Sequence, residues 1–543
     1  MSTTSARPER PKLRALTGRV GGQALGGLLG LPRATTRYTV RHPHPDARRQ
    51  VAGQHRPATS QPVGTLLSAW AIRAPVSVFA GVCQDLRRPR LSRRRTCHLG
   101  SGGVFEAMVN EAADGADTVA WLREQPWFTG RFGTIGLPYL GFTQWALLHD
   151  PPPELAAAVI TVGPHDFRAS VWGTGSFTVN DFLGWSDLVS HQEDPGRIRA
   201  GIRQLTAPRR VARTAATLPL GESARTLLGT GAPWFESWVE HTDRDDPFWD
   251  RLRFPAALDR VQVPVLLVGG WQDIFLRQTL QQYRHLRDRG VHVALTVGPW
   301  THTQMLTKGL ATGARESLDW LDAHLGRAPA LRPSPVRVFV TGQGWRHLPD
   351  WPPATTERAW YLQPGGRLGE SAPASGTPPA TFRYHPADPT PTTGGPLLSS
   401  NGGYRDDSRL ATRADVLCFT GAPLTHDLCV HGNPVVELVH SSDNPYVDVF
   451  VRVSEVDAKG RSRNVSDGYR RLGDAPELVR VELDAIAHRF RADTRIRVLI
   501  AGSWFPRYAR NLGTPEPILT GRQLKPATHA VHFGRSRLLL PVG

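Results

Sequence analysis

The spacing of apolar residues along this chain changes character near residue 333. Before that point, short, largely apolar runs alternate with stretches of helical period. The run at 263–269 is unbroken, as expected of a parallel strand buried on both faces, and those at 157–163 and 291–297 read as further core strands. The stretches at 106–125, 142–149, 276–288 and 311–324 read as helices. Residues 164–255 fit neither pattern. Their aromatics fall at irregular places (Phe167, Trp172, Phe177, Phe182, Trp185, Trp234, Trp238) around helical stretches at 207–218 and 222–228, which predicts an inserted, mostly helical cap. Beyond 333 the period is two. Strands are predicted at 336–340, 359–362, 435–439, 446–453, 479–483 and 496–500, with Pro/Gly/Ser-rich loops such as 364–398 between them.

The pattern is poorest near the start. Residues 36–41 alternate as a strand, and 63–67 begin a core strand, but 42–62 have no period. The run at 83–98, dense in arginine, carries too much charge to desolvate in a buried strand. A doubly wound sheet calls for a strand there, between its first strand and the one entering residue 133. The expected organisation is therefore α/β. It comprises a leader at 1–35, a first part of the sheet domain at 36–163 with 42–100 atypical, the cap at 164–255, a second part at 256–328, and an all-β jelly-roll sandwich at 333–543.

Composition narrows the picture. A chain of 543 residues is too long for one core. Four cysteines in this length make neither a disulfide scaffold nor a compact metal pattern, so no metal and no cofactor are expected. Residues 21–32 lack the apolar core of a secretory signal, and no run reaches the ~18 apolar residues of a membrane span. The expectation is a cytoplasmic protein with no membrane partner, free to form a homo-oligomer. The formal charge of +17 invites nucleic acid, but the chain has only four lysines, Lys12, Lys308, Lys459 and Lys525, and the rest of its basic side chains are arginine. Of that charge, +9 sits in residues 41–100, with no accompanying finger, helix-turn-helix or aromatic platform. No nucleic-acid partner is expected.

The candidate chemistry centres on residues 133–145, Gly-Thr-Ile-Gly-Leu-Pro-Tyr-Leu-Gly-Phe-Thr-Gln-Trp. Gly136 and Gly141 frame a strand-to-helix turn laid out like the nucleophile elbow of an α/β-hydrolase, with Pro138 at the nucleophile position. Proline offers no hydroxyl, thiol or N–H, and its fixed φ does not suit a strained tip. Alone, the stretch 136–141 also fits an ordinary turn with proline starting the helix. Asp273 follows the run at 263–269 and His302 follows the run at 291–297, both at the carboxyl ends of core strands, in the chain order nucleophile, acid, histidine. Trp271 and Trp300 stand beside them as candidate walls of an acyl pocket, whereas Trp145 reads as core. The backbone N–H of Tyr139 is a candidate oxyanion donor. Thr143 and the Tyr139 hydroxyl lie close to the tip but not on it.

These motifs, Gly136-x-Pro138-Tyr139-Leu140-Gly141 with Thr143-Gln144-Trp145, Gly270-Trp271-x-Asp273 and Gly298-Pro299-Trp300-Thr301-His302, resemble the bacterial CocE/NonD hydrolases, the superfamily of cocaine esterases and S15 X-Pro dipeptidyl-peptidases. The resemblance covers 102–543. It implies an α/β-hydrolase domain with a helical cap and a C-terminal jelly roll, acting on small esters, amides or peptides through an acyl-enzyme. It makes Asp273 the triad acid and His302 the general base, and puts Pro138 in place of the nucleophilic serine. Phe505-Pro506-Arg507 resembles a family signature with a structural role.

The departures from the family matter equally. Ile72 falls where the family carries an oxyanion tyrosine, and the arginine run replaces the next strand. Three readings follow: an acyl hydrolase impaired or inactive at Pro138, a non-catalytic protein that binds a ligand or partner, or an active serine hydrolase whose sequence is misread at 42–100 and 138. Paired frame changes in a GC-rich gene would produce such a stretch of arginine, proline and stray cysteine.

Overall fold

The computed structural model describes residues 65–68, 105–125, 128–191, 197–325, 332–473 and 477–543. The leader, the strand read at 36–41, Ile72 and the arginine run lie outside the described residues. Among those described, one sheet has the order β1 (Thr65–Ser68), β2 (Phe132–Gly136), β3 (Leu155–Thr161), β4 (Val265–Gln272), β5 (Val293–Thr301), β6 (Val336–Val340) and β7 (Gly344–Leu348). Neighbours from β1 to β6 pair in parallel, and β7 returns antiparallel. Every residue of β4 is buried, as a strand covered by helices on both faces must be.

The strand expected in chain order between the first core strand and the one entering residue 133 falls outside the described residues. In the sheet, β1 pairs directly with β2, Thr65 opposite Phe132 and Ser68 opposite Ile135. The period-two run at 336–340 was expected to open the jelly roll. It is β6 of the first sheet, with Val336 opposite Leu295. Alternation reveals a half-buried strand but not the sheet it joins.

The cap is helical as expected, with helices Phe167–Trp172, Val179–Ser190, Arg197–Ala216, Leu220–Leu228 and Trp234–Glu240. The second long helix was expected to start at 207, beside Pro208, but it runs through that proline. The irregular aromatics pack on one another within a core shared with the first sheet. Phe167 meets Trp238 at 4.5 Å and Phe182 at 5.1 Å between ring centroids, both edge-on.

The C-terminal domain is a large, twisted, near-barrel sheet of jelly-roll type, in which strand Ala527–Val542 pairs with strands from four parts of the domain. Phe505-Pro506-Arg507 joins this domain to the cap. The Pro506 carbonyl accepts from Asn180 N–H at 3.1 Å, and Arg507 N–H donates to Thr392 Oγ1 at 3.1 Å. No helix among the described residues is long and apolar enough to cross a membrane.

Candidate active site

Helix Pro138–Leu147 begins one residue after β2, with Pro138 in its first turn and Leu137 extended before it. A proline fits there because the first-turn N–H groups have no intrahelical acceptor to lose. The positive-φ non-glycine residues among those described are Met108, Val162 and Asp493. The turn at Pro138 is thus an ordinary helix start and not a strained tip. The two frame glycines are required by close approach. A Cβ on Gly136 would lie 2.5 Å from the Leu140 carbonyl oxygen, and one on Gly141 would lie 2.6 Å from Gly163 Cα. The helix therefore sits directly on the end of β3.

The following residues secure that contact. Gln144 Nε2 donates to Val159 O at 3.1 Å, and Trp145 Nε1 donates to Gly163 O at 3.2 Å. Thr143 Oγ1 donates to Leu140 O at 3.1 Å within the helix. Tyr139 is held by its side chain: its hydroxyl donates to Glu111 Oε1 at 2.5 Å, and its ring stacks on Trp185 at 6.0 Å. Both hydroxyls near the tip are therefore engaged elsewhere. The Tyr139 N–H belongs to the first helical turn.

Asp273 and His302 meet. Asp273 follows β4, where its Oδ1 accepts the Phe275 N–H at 2.7 Å. His302 opens the short helix His302–Met305 after β5, behind a capping box of Thr301 and Gln304. His302 Nδ1 and Asp273 Oδ2 are 2.6 Å apart. A carboxylate can only accept, so Nδ1 carries the proton and donates, and Nε2 of the neutral ring keeps its lone pair. The acid side chain has no exposed surface, whereas the histidine side chain retains 8%. The base thus has access to solvent that the acid lacks. The ring of Phe275 stands edge-on to the imidazole at 5.2 Å.

The cap and the jelly roll close in around this pair. Asp181, wholly buried in helix Val179–Ser190, accepts from Leu398 N–H at 2.9 Å and from Asn180 Nδ2 at 2.9 Å. Burial pushes its carboxyl up, against the Leu398 N–H and the nearby Arg507, Asn180 and His302, which favour the charged form. Gln272, immediately before Asp273, donates to Val465 O at 3.2 Å, and Asn464 Nδ2 lies 3.5 Å from its amide oxygen.

The structure brings Asp273 and His302 into contact and sets Pro138 and Tyr139 at the same carboxyl edge of the sheet, three strands from His302. It uses Trp271 and Trp300 differently from the expected pocket walls. Trp271 donates to Phe339 O at 2.7 Å and packs on Trp351 at 5.0 Å, and Trp300 packs on Trp345 at 5.7 Å with Met305 and Gly309. These rings brace the two loops from within packed cores. Phe275, Asp181 and Leu398 were missed. An acid on an otherwise apolar helix face was the available signal for Asp181. Leu398, in a loop of the other domain, gave none.

Comparison with known proteins identifies relatives of both domains. The sequence profile of the X-Pro dipeptidyl-peptidase (S15 family) matches residues 95–304, and that of the X-Pro dipeptidyl-peptidase C-terminal non-catalytic domain matches residues 330–538. Cocaine esterase from Rhodococcus sp. (strain MB1 Bresler) is 32% identical over 497 residues, covering 81% of this chain and 86% of its own. An aminopeptidase from the marine sediment archaeon Thaumarchaeota archaeon has a TM-score of 0.70 at 23% identity, covering 82% of this chain and 83% of its own. A selenomethionine-labelled α-amino acid ester hydrolase has a TM-score of 0.69 at 20% identity, covering 89% of this chain and 92% of its own. At those identities the two structures speak for the fold.

Proposed function

This chain belongs to the S15 X-Pro dipeptidyl-peptidase family in its CocE/NonD form, and we propose that it is an acyl hydrolase of that family whose acyl-enzyme route is closed at Pro138. The observation that carries the reading is the 2.6 Å Asp273–His302 contact at the ends of adjacent parallel strands. In this reading His302 is the general base and Asp273 fixes its tautomer. The Tyr139 N–H is an oxyanion donor, and Pro138 stands where the attacking serine would be. The substrates are small carboxylic esters, amides or peptides. The Rhodococcus relative's name makes an ester the first to try, and the family's name an X-Pro dipeptide the second.

Without the nucleophile, substrate binding and the oxyanion donors remain, and these support modest catalysis. A fluorophosphonate probe tests the reading. The unaltered protein should stay unlabelled, and Pro138→Ser should gain label at position 138. An adduct within residues 136–141 of the unaltered chain would overturn the assignment. The helix start at Pro138 also favours a second reading, in which the cleft retains ligands without turnover. Melting scans with and without acyl or peptide ligands would then show stabilisation and no product.

A further inference from the structure

We propose that the Asp273–His302 pair activates water directly, so that the cleft hydrolyses activated esters in one step without a covalent intermediate. This inference rests on the reading of Pro138 given above. Three features of the pair support it. The carboxylate is desolvated and tied by the Phe275 N–H as well as by the imidazole, so it holds one orientation. That orientation assigns the Nδ1 proton and leaves Nε2 as a lone-pair acceptor on the ring that keeps some exposure. Among the described residues Nε2 takes no hydrogen bond from the protein, whereas a triad's hydroxyl would bind there. An imidazole so held can act as a base through Nε2, and the molecule that can reach that nitrogen is water or a ligand.

The step balances as follows. Water gives a proton to His302 Nε2 as its oxygen bonds to the ester carbonyl carbon, and the carbonyl becomes a tetrahedral oxyanion. Collapse of that oxyanion breaks the bond to the leaving oxygen, which takes the proton from the imidazolium. The products are a carboxylic acid and an alcohol or phenol, with the protein unchanged. Asp273 acts as a positioning residue through His302. The substrate class follows from the chemistry. A single general base contributes about 10²- to 10⁴-fold, enough to reveal turnover of aryl esters but not of unactivated amides.

The test uses the full chain and a series of substituted phenyl acetates. The expected result is slow hydrolysis above buffer, linear from the first turnover. Its kcat should rise as the leaving phenol becomes more acidic, because no common acyl-enzyme is shared across the series. His302→Gln should bring the rate to buffer level, and Asp273→Asn should lower kcat at least tenfold with KM little changed. Each variant is compared by melting temperature, and His302→Ala serves if the glutamine variant does not fold. An initial burst of one phenol per chain, or a fluorophosphonate adduct at 136–141, would overturn both this inference and the Pro138 reading. Unlabelled protein with no rate above buffer, or with a rate unchanged in folded His302 variants, would overturn the water mechanism and leave the Pro138 reading standing.

Discussion

Leu398 of the C-terminal domain donates its backbone N–H to Oδ1 of Asp181 in the cap, 217 positions away along the chain, at 2.9 Å. This bond ties a loop of one domain to a wholly buried acid in another, close enough to the imidazole for His302 to favour that acid's charged form. Asp181→Ala would strand the Leu398 N–H and should cost about 1–3 kcal/mol. Asp181→Asn keeps an acceptor and removes the ionisation. The folded acid has a raised pKa, so its stabilising contribution is complete below the ordinary carboxylate range and is lost as pH rises through the folded value. Asp181→Asn should therefore gain on the unaltered protein as pH rises, as read by denaturant midpoints at acidic and neutral pH.

Gly141 gives a steric prediction. An alanine methyl there would meet the Gly163 backbone at 2.6 Å, where nothing flexible can yield. Gly141→Ala should destabilise by about 1–3 kcal/mol. Gly290→Ala is a useful contrast, because nothing lies near its Cβ and its cost is the backbone strain of φ +73 alone. Thermal melts of the two variants would separate overpacking from strain.

A third prediction concerns acid. His440 and His529 are buried against each other, Nε2 to Nδ1 at 3.0 Å, with the Phe382 ring stacked on His529 at 4.5 Å. Burial lowers His440 to about 4 and His529 to about 3. The unfolded chain binds these protons near pH 6.5 and the folded chain does not, so stability is complete above 6.5 and falls as pH drops towards 3. His165 in the first domain is lowered to about 4 by the same cause. Denaturant midpoints should decline between pH 6.5 and 4, and His440→Gln should flatten that decline.

Arg452 supplies the fourth. Its guanidinium is fully buried, paired with Asp467 at 2.7 and 2.8 Å and lying 4.5 Å over the Trp504 ring. Asp467→Ala leaves that charge without its main partner and should cost about 3–5 kcal/mol. Because Arg452 also pairs with the buried Asp407 at 3.5 Å, a double-mutant cycle of Arg452→Met and Asp467→Leu on unfolding free energies should show strong coupling but incomplete recovery.

Arg452 also shows why part of the fold was hidden in the sequence. Strand Ser462–Leu472 is almost entirely buried yet rich in polar residues, because Asp467 meets Arg452 and Ser466 Oγ donates to the Asp484 carbonyl at 2.6 Å. A hydrophobic pattern cannot reveal a strand whose inward side chains are satisfied by one another. The helix through Pro208 was read as starting at 207 because proline is a poor interior helix residue, whereas Arg203 and Arg210 on either side of it both pair with Asp187. Asp273 and His302, by contrast, were legible because each follows a largely apolar core strand, and β4 and β5 are neighbours in the sheet. The closing groups, Leu398 and Asn464, come from loops and strands far along the chain and carry no local sign of their place.

The bond from Gln272 Nε2 to the Val465 carbonyl spans 193 positions. A nascent polypeptide halted before residue 465 would already hold both members of the dyad, yet lack the acceptor that steadies the segment leading into Asp273. The Asp273–His302 contact is thereby braced by residues laid down late in the chain, and the same core that holds Trp271 also holds Ala485, Ala487, Ala509 and Leu519.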